Sequence, residues 1–208
     1  MSSRDLFEFL RKGRNSQFNL ELRQLREDGA EVTFDGQTFE KVELRGFEFV
    51  NIDFTNVAFN ECRFEQVRFE RCNLEGTYFD NVACLESVFQ ENTGEGFAID
   101  ASTFTQTTFR GMGLLAPEWT DVQLLDCTFE RLEFTEPLLE RVTLRGGSLT
   151  GWSLSEGELT HVTLRELDDV GGMNITDCTT SYCYVVHPNA ELPEGFQRKS
   201  GKRRTVVS

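Results

Sequence analysis

"FEQVRFERCNLEGTYFDNV" spans residues 64–82, and its large apolar side chains, Phe64, Phe69, Leu74 and Phe79, fall five residues apart. Five is neither the helix repeat of about 3.6 residues nor the strand repeat of 2. Counted outward in both directions, the spacing runs from Phe34 to Leu164 over 27 positions, and Gly94 alone among them is not apolar. Only 38% of the chain is hydrophobic, so composition alone cannot produce this regularity. Two residues before these slots stand Val32, Val42, Phe47, Ile52, Val57, Cys62, Val67, Cys72 and Val82, then Val122, Cys127, Val142 and Val162, mostly small or β-branched side chains. Two inward positions separated by one outward residue describe a short strand. The other two residues of each five, rich in Asn, Gly, Glu, Asp and Arg, turn a corner. Four such sides close a coil of about twenty residues, and internal repetition at a fixed period marks a solenoid.

The segments CRFEQ (62–66), VRFER (67–71), CNLEG (72–76) and VTLRG (142–146) resemble the pentapeptide-repeat family, whose motif is a central Leu or Phe with a small residue two places earlier. The resemblance runs from about residue 31 to 165. It implies an all-β solenoid, a right-handed quadrilateral parallel β-helix of about seven coils with an N-terminal helical cap. At roughly 4.8 Å per coil the rod is about 32 Å long. Slots twenty apart stack on one face. Phe49, Phe69, Phe89, Phe109 and Phe129 form a core ladder continued by Leu149, and Phe39, Phe59 and Phe79 form a second, followed by Ile99 and Trp119. These aromatics are expected as core, not as a ligand box.

The pattern divides the chain into three parts. Residues 1–30 read as a helical cap, with Ser3 as an N-cap and Gly13 as a break between two short helices. Residues 31–187 read as the β-helix. Its register fails after Leu164 and returns, shifted by one, at Met173 and Ile175, Cys178 and Thr180, and Cys183 and Val185. Residues 188–208 have no period and a basic cluster, and are expected as a flexible tail. The stretch QENTGEGF (90–97), where Gly94 leaves a slot empty, is expected to bulge as a surface loop.

The net charge is −14 over 208 residues, and the acid is concentrated: Glu31 to Val170 hold 27 acidic and 10 basic residues. Such a block repels nucleic acid and anionic membranes, so neither is expected to bind the β-helix. No apolar run approaches the roughly 18 residues of a membrane span, and the first residues lack the apolar core of a secretory signal, so a cytoplasmic protein is expected. The six cysteines include no CxxC pair, and with only two histidines no metal site is expected. Free, buried thiols are the reading.

No nucleophile elbow, P-loop, Rossmann glycine fingerprint or HExxH occurs, and carboxylates on a convex rod stay solvated. Catalytic, cofactor-binding and metal residues are therefore none, and no cofactor is expected. What remains is a surface. Glu40, Asn60, Asp80 and Asp100 lie twenty apart and form a candidate acidic interaction face, interrupted at Asn60. Leu85 and Leu125 share another face with Thr105 between them, and with Leu115 on a further face they form a candidate apolar patch. The reading is a non-enzymatic protein-interaction scaffold presenting a rigid acidic rod. The alternative comes from the resemblance: quinolone-resistance pentapeptide-repeat proteins are acidic rods that mimic DNA and bind gyrase. That resemblance implies a topoisomerase as protein partner. Those relatives typically dimerise through a C-terminal helix, and no amphipathic helix follows residue 185, so the sequence leaves the oligomeric state open, a homodimer included.

Overall fold

The computed structural model describes residues 3–167, 172–186 and 192–198. Helices α1 (Ser3–Arg11) and α2 (Asn15–Glu27) precede a stack of short parallel strands, most of them three residues long. The helices part at Gly13, whose φ of +64° is the left-handed conformation that glycine adopts without strain. The strands form a parallel β-solenoid of about eight turns. The added turn beyond the expected seven comes from residues 172–186, which pair on the coil below at a spacing of twenty-one, Leu154 with Ile175, Leu159 with Thr180 and Leu164 with Val185. The one-residue shift is taken up as an irregularity between Thr150 and Trp152.

Register is twenty in the coils up to residue 165, as in Phe39 on Phe59, Leu44 on Phe64 and Phe49 on Phe69. Four faces result, numbered here by the slots of the first coil: Phe34, Phe39, Leu44 and Phe49. The core ladder is buried, with successive ring centroids at 4.9, 4.8, 5.2 and 5.2 Å from Phe49 to Phe129. Leu149 pairs with Phe129 in the sheet, but the aromatic stack itself passes to Trp152, 5.1 Å away and nearly parallel.

The corners explain how strands this short hold together. Among the described residues the one two after each slot has positive φ, and at 22 of these corners it is not glycine, as in Glu61 (52°), Arg71 (51°) and His161 (57°). Left-handed backbone costs an L-residue roughly 1–2 kcal/mol. The cost is offset because the corner N–H then donates to the coil above, as from Glu61 to the Asp80 carbonyl at 2.8 Å. The inward position two before the slot is small in most sides and completes the corner. Asn92 Oδ1 accepts from the Cys72 N–H and its amide donates to the Phe69 carbonyl. The Cys62, Cys72 and Cys127 thiols donate to carbonyls of the coil below. All six cysteines are free. Burial pushes the Cys72 and Cys127 thiols up to about 12 and Cys84 to about 11. They are structural groups, and among the described residues no cluster could hold a metal.

The empty slot does not bulge. Thr93–Glu95 is a regular strand pairing with Gly113–Leu115. In the three coils below, this face ends in tight turns, with Gln37, Val57 and Thr77 N–H donating to the Phe34, Phe54 and Leu74 carbonyls at 3.0 Å. At residue 94 the face becomes straight strand and lies close on the turn beneath it: a Cβ on Gly94 would meet the Leu74 carbonyl carbon at 2.7 Å. Glycine is required there by backbone approach, and Phe97, buried two residues before the next slot, packs against Phe79 at 5.3 Å.

Both ends carry added structure. Phe18 of α2 packs on Phe47 and Phe49 at 5.2 and 5.3 Å. The Asn19 side chain donates to the Gly46 carbonyl and accepts from the Glu48 N–H, both at 2.9 Å, as a neighbouring strand would. Within the stretch expected as a flexible tail, residues 192–198 pack instead: Phe196 is buried and Gln197–Arg198 pair on Tyr184 and Val185. The buried Phe196, next to the strand pair, anchors this segment. The rest of that stretch, 188–191 and 199–208, lies outside the described residues, as does residue 187 of the expected β-helix.

Candidate interaction surface

Because register is fixed, every outward residue can be assigned to a column running along the rod. Glu40, Asn60, Asp80 and Asp100 are successive partners on the second face. Glu40 is exposed and the other three are half-buried. Tyr78, in the column beside them, directs its hydroxyl to Asp100 Oδ2 at 3.5 Å. Burial, then the charges of Asp80 and Asp100, raise its pKa above the ordinary tyrosine value.

The acidic column belongs to a larger set. The first face and its following corner carry Asp35, Asp53, Glu75, Glu95, Glu133, Glu136, Glu156 and Asp177, and no lysine or arginine. The adjacent second face and its corner carry Glu40, Glu61, Asp80, Asp100, Glu118, Asp121, Glu140 and Glu158 against Lys41 and Arg141. The other two faces hold Arg45, Arg63, Arg145 and Arg165, and Arg68, Arg71, Arg110 and Arg131, interleaved with glutamates. One half of the rod is therefore acidic and the other nearly neutral. Sequence reading found one acidic column and missed the rest. The twenty-residue rule applied to both columns flanking each slot, and to the corners, would have found it.

The halves also differ in pairing. On the neutral half, opposite charges one coil apart meet: Arg45 with Glu65 at 3.3 Å, Arg110 with Glu130 at 2.6 Å and Arg145 with Glu166 at 2.8 Å. Glu70, only 8% exposed, lies against both Arg68 and Arg71. The hydrogen bond from Arg145 holds the Glu166 carboxyl below its ordinary value. Among the described residues, ion pairs on the acidic half are confined to the edge it shares with the third face, Lys41 with Glu61 and Arg141 with Asp121 and Glu140. Among the described residues none reaches Glu40, Asp80, Asp100, Glu75, Glu95, Glu118, Glu133, Glu136 or Glu158.

The leucines separate. Leu85 and Leu125 are half-buried on the third face, each in register with Thr105. Leu115 is 40% exposed on the first face, within the acidic half. Two concavities, of about 460 and 350 Å³, lie where the helices meet the first coils. They are lined by Arg26, Glu31, Thr33, Asn51 and Asp53, and by Arg11, Thr38, Glu40 and Val42, with no cysteine, histidine or serine.

Square coils of five-residue sides with a buried apolar slot define a class of parallel β-solenoid. Residues 62–136 match the pentapeptide repeat region. No curated protein sequence matches it. Solved structures similar to it include full-length QnrB1, a plasmid-mediated fluoroquinolone resistance protein, at 16% identity and a TM-score of 0.34 over 72% of this chain and 92% of that one. The pentapeptide repeat protein Rfr23 from the cyanobacterium Cyanothece is 12% identical, with a TM-score of 0.25 over 54% of this chain and 92% of that one. HetL from the cyanobacterium Nostoc, involved in heterocyst differentiation regulation, is 11% identical, with a TM-score of 0.24 over 84% of this chain and 97% of that one. No helix of the described residues is long and apolar enough to cross a membrane.

Proposed function

We propose that this protein is a non-enzymatic scaffold that binds a cationic surface of a protein partner through the acidic half of its rod. The observation that carries the reading is the segregation of unpaired carboxylates onto two adjacent faces. Like charges stacked one coil apart, such as Asp80 on Asp100, cost folding energy and return it when a cationic partner neutralises them. The neutral half pairs its charges internally and has little to offer such a partner. The test is capture of partners from lysate on immobilised protein. A variant with Glu40, Asp80 and Asp100 changed to Lys should lose the captured partner, and a variant with Arg45, Arg110 and Arg145 changed to Glu should keep it. Retention by both variants overturns the reading.

A second reading, DNA mimicry toward a gyrase-type topoisomerase, is favoured by charge density. The acidic half carries about one net negative charge per 3 Å of axis at a coil rise of roughly 4.8 Å, against about one per 1.7 Å in duplex DNA. Supercoiling and quinolone-induced cleavage by gyrase, followed together as protein is titrated in, distinguish the two. Inhibition or reduced cleavage that the Glu40, Asp80 and Asp100 reversal abolishes supports the mimic. No effect up to tens of micromolar leaves the general scaffold alone.

A further inference from the structure

The edge shared by the two acidic faces carries an uncharged interruption. Residues 111–117, GMGLLAP, hold no charged side chain. Leu115 is 40% exposed, and Leu138, on the second face one coil further on, is 39% exposed. Register brings them to the same stretch of edge. Leu115 pairs with Thr135 and Leu138 with Glu118, while the Ala116 N–H donates to the Thr135 carbonyl at 2.8 Å and the Leu138 N–H to the Pro117 carbonyl at 2.9 Å. The two leucines therefore flank the corner formed by Ala116 and Glu136.

Around them stand Glu95, partner of Leu115; Glu118 and Glu158, partners of Leu138; Glu133, partner of Gly113; and Glu136 at the corner. None of these five is in an ion pair among the described residues. An exposed apolar pair ringed by unneutralised carboxylates selects its occupant by charge. An acidic surface is repelled, and a neutral apolar surface would bury carboxylates without compensation. A segment with lysine or arginine on either side of an apolar side chain satisfies both parts, burying the leucines at the centre while neutralising the rim.

We propose that the Leu115 and Leu138 edge is the anchor point of the acidic half, and that it takes a cationic segment of a partner protein bearing an apolar side chain among its basic residues. The proposal rests on the reading of the acidic half as the binding surface, and sharpens it from charge alone to charge with an apolar centre.

The test uses two labelled peptides of equal charge, one with leucine and one with serine between its lysines and arginines, titrated against the full chain by fluorescence anisotropy. Both should bind with salt-sensitive affinity, the leucine peptide about tenfold tighter, as for a modest buried apolar area. In the Leu115→Ser, Leu138→Ser variant that advantage should vanish while the serine peptide binds as before. Thermal melting confirms that the variant is folded, since both leucines lie outside the core. Equal binding of the two peptides to the wild type overturns the apolar anchor and leaves the acidic surface standing. No binding of either peptide overturns the acidic surface itself. Loss of both peptides in the leucine variant, with its fold intact, also overturns the proposal, because the leucines would then act on the whole surface and not on the apolar contact.

Discussion

The acidic and neutral halves of this rod share five-residue sides and left-handed corners. Apart from the tight turns of the first coils and Gly94 on the first face, they differ in what faces outward. On the neutral half, Arg110 meets Glu130 and Arg145 meets Glu166 one coil apart. On the acidic half, Asp80 meets Asp100. The fold tolerates either arrangement because its stability comes from the interior, where each slot is buried against neighbours above, below and across the coil. The outward columns are thus free to be set by binding.

The largest expected effect tests whether the halves share one core. Phe79 on the acidic half and Phe109 on the neutral half are both fully buried. Each changed to Ala should lose about 3–5 kcal/mol in denaturant unfolding. A difference of more than about 2 kcal/mol between the two would break the claim that the halves share one core. Next in size is Glu70→Ala, which removes a nearly buried carboxylate held between Arg68 and Arg71. It should cost about 1–2 kcal/mol, whereas Asp100→Ala on the acidic half should cost little, read by the same unfolding curves.

Smaller still are the single reversals. Glu65→Lys places a cation beside Arg45 and should lose about 0.2–1 kcal/mol, whereas Glu95→Lys on the acidic half should gain a few tenths. Both changes should shrink as salt is raised toward 0.15 M, where charges are screened beyond about 8 Å. The smallest effect is a titration. Tyr78 has its pKa raised chiefly by burial and further by Asp80 and Asp100. Its neutral form is therefore favoured in the folded state, a contribution present below pH about 10 and lost as pH rises through the folded value. In a background where Tyr182 and Tyr184 are Phe, ultraviolet titration should show a late phenolate. Asp80→Asn with Asp100→Asn should move it only part of the way back, and a complete return would mean that burial is not the main cause.

The interior of this molecule was readable because each slot announces itself by size. Phe64, Phe69, Leu74 and Phe79 give the period, the period gives the coil, and the coil gives the register. What side-chain patterning could not convey was backbone proximity. Gly94 reads as a gap in a row of large residues, and only the closeness of the Leu74 carbonyl carbon shows why a strand needs it. Nor did the sequence reveal that Arg71 or His161 adopts the left-handed region, since neither residue favours it and the corner alone imposes it. On the surface, Glu40, Asp80 and Asp100 were legible as one column. The half-rod to which they belong emerges only when Glu75, Glu136 and Glu156 are mapped onto the neighbouring face and edge. Leu138, which precedes its slot instead of following it, escaped for the same reason.

The corner rule has a hereditary consequence. A duplication coding for one whole coil lengthens the rod and leaves every later residue on its own side. A duplication coding for a single side keeps every slot filled, yet turns everything downstream a quarter revolution about the axis. Such a change would fold as well as its parent while carrying Glu118, Leu138 and Glu158 round to the side now studded with arginines. For this architecture, drift in length by fives is silent to the interior and drastic to the exterior, so a lineage can explore new partners by rotation without first finding a new fold.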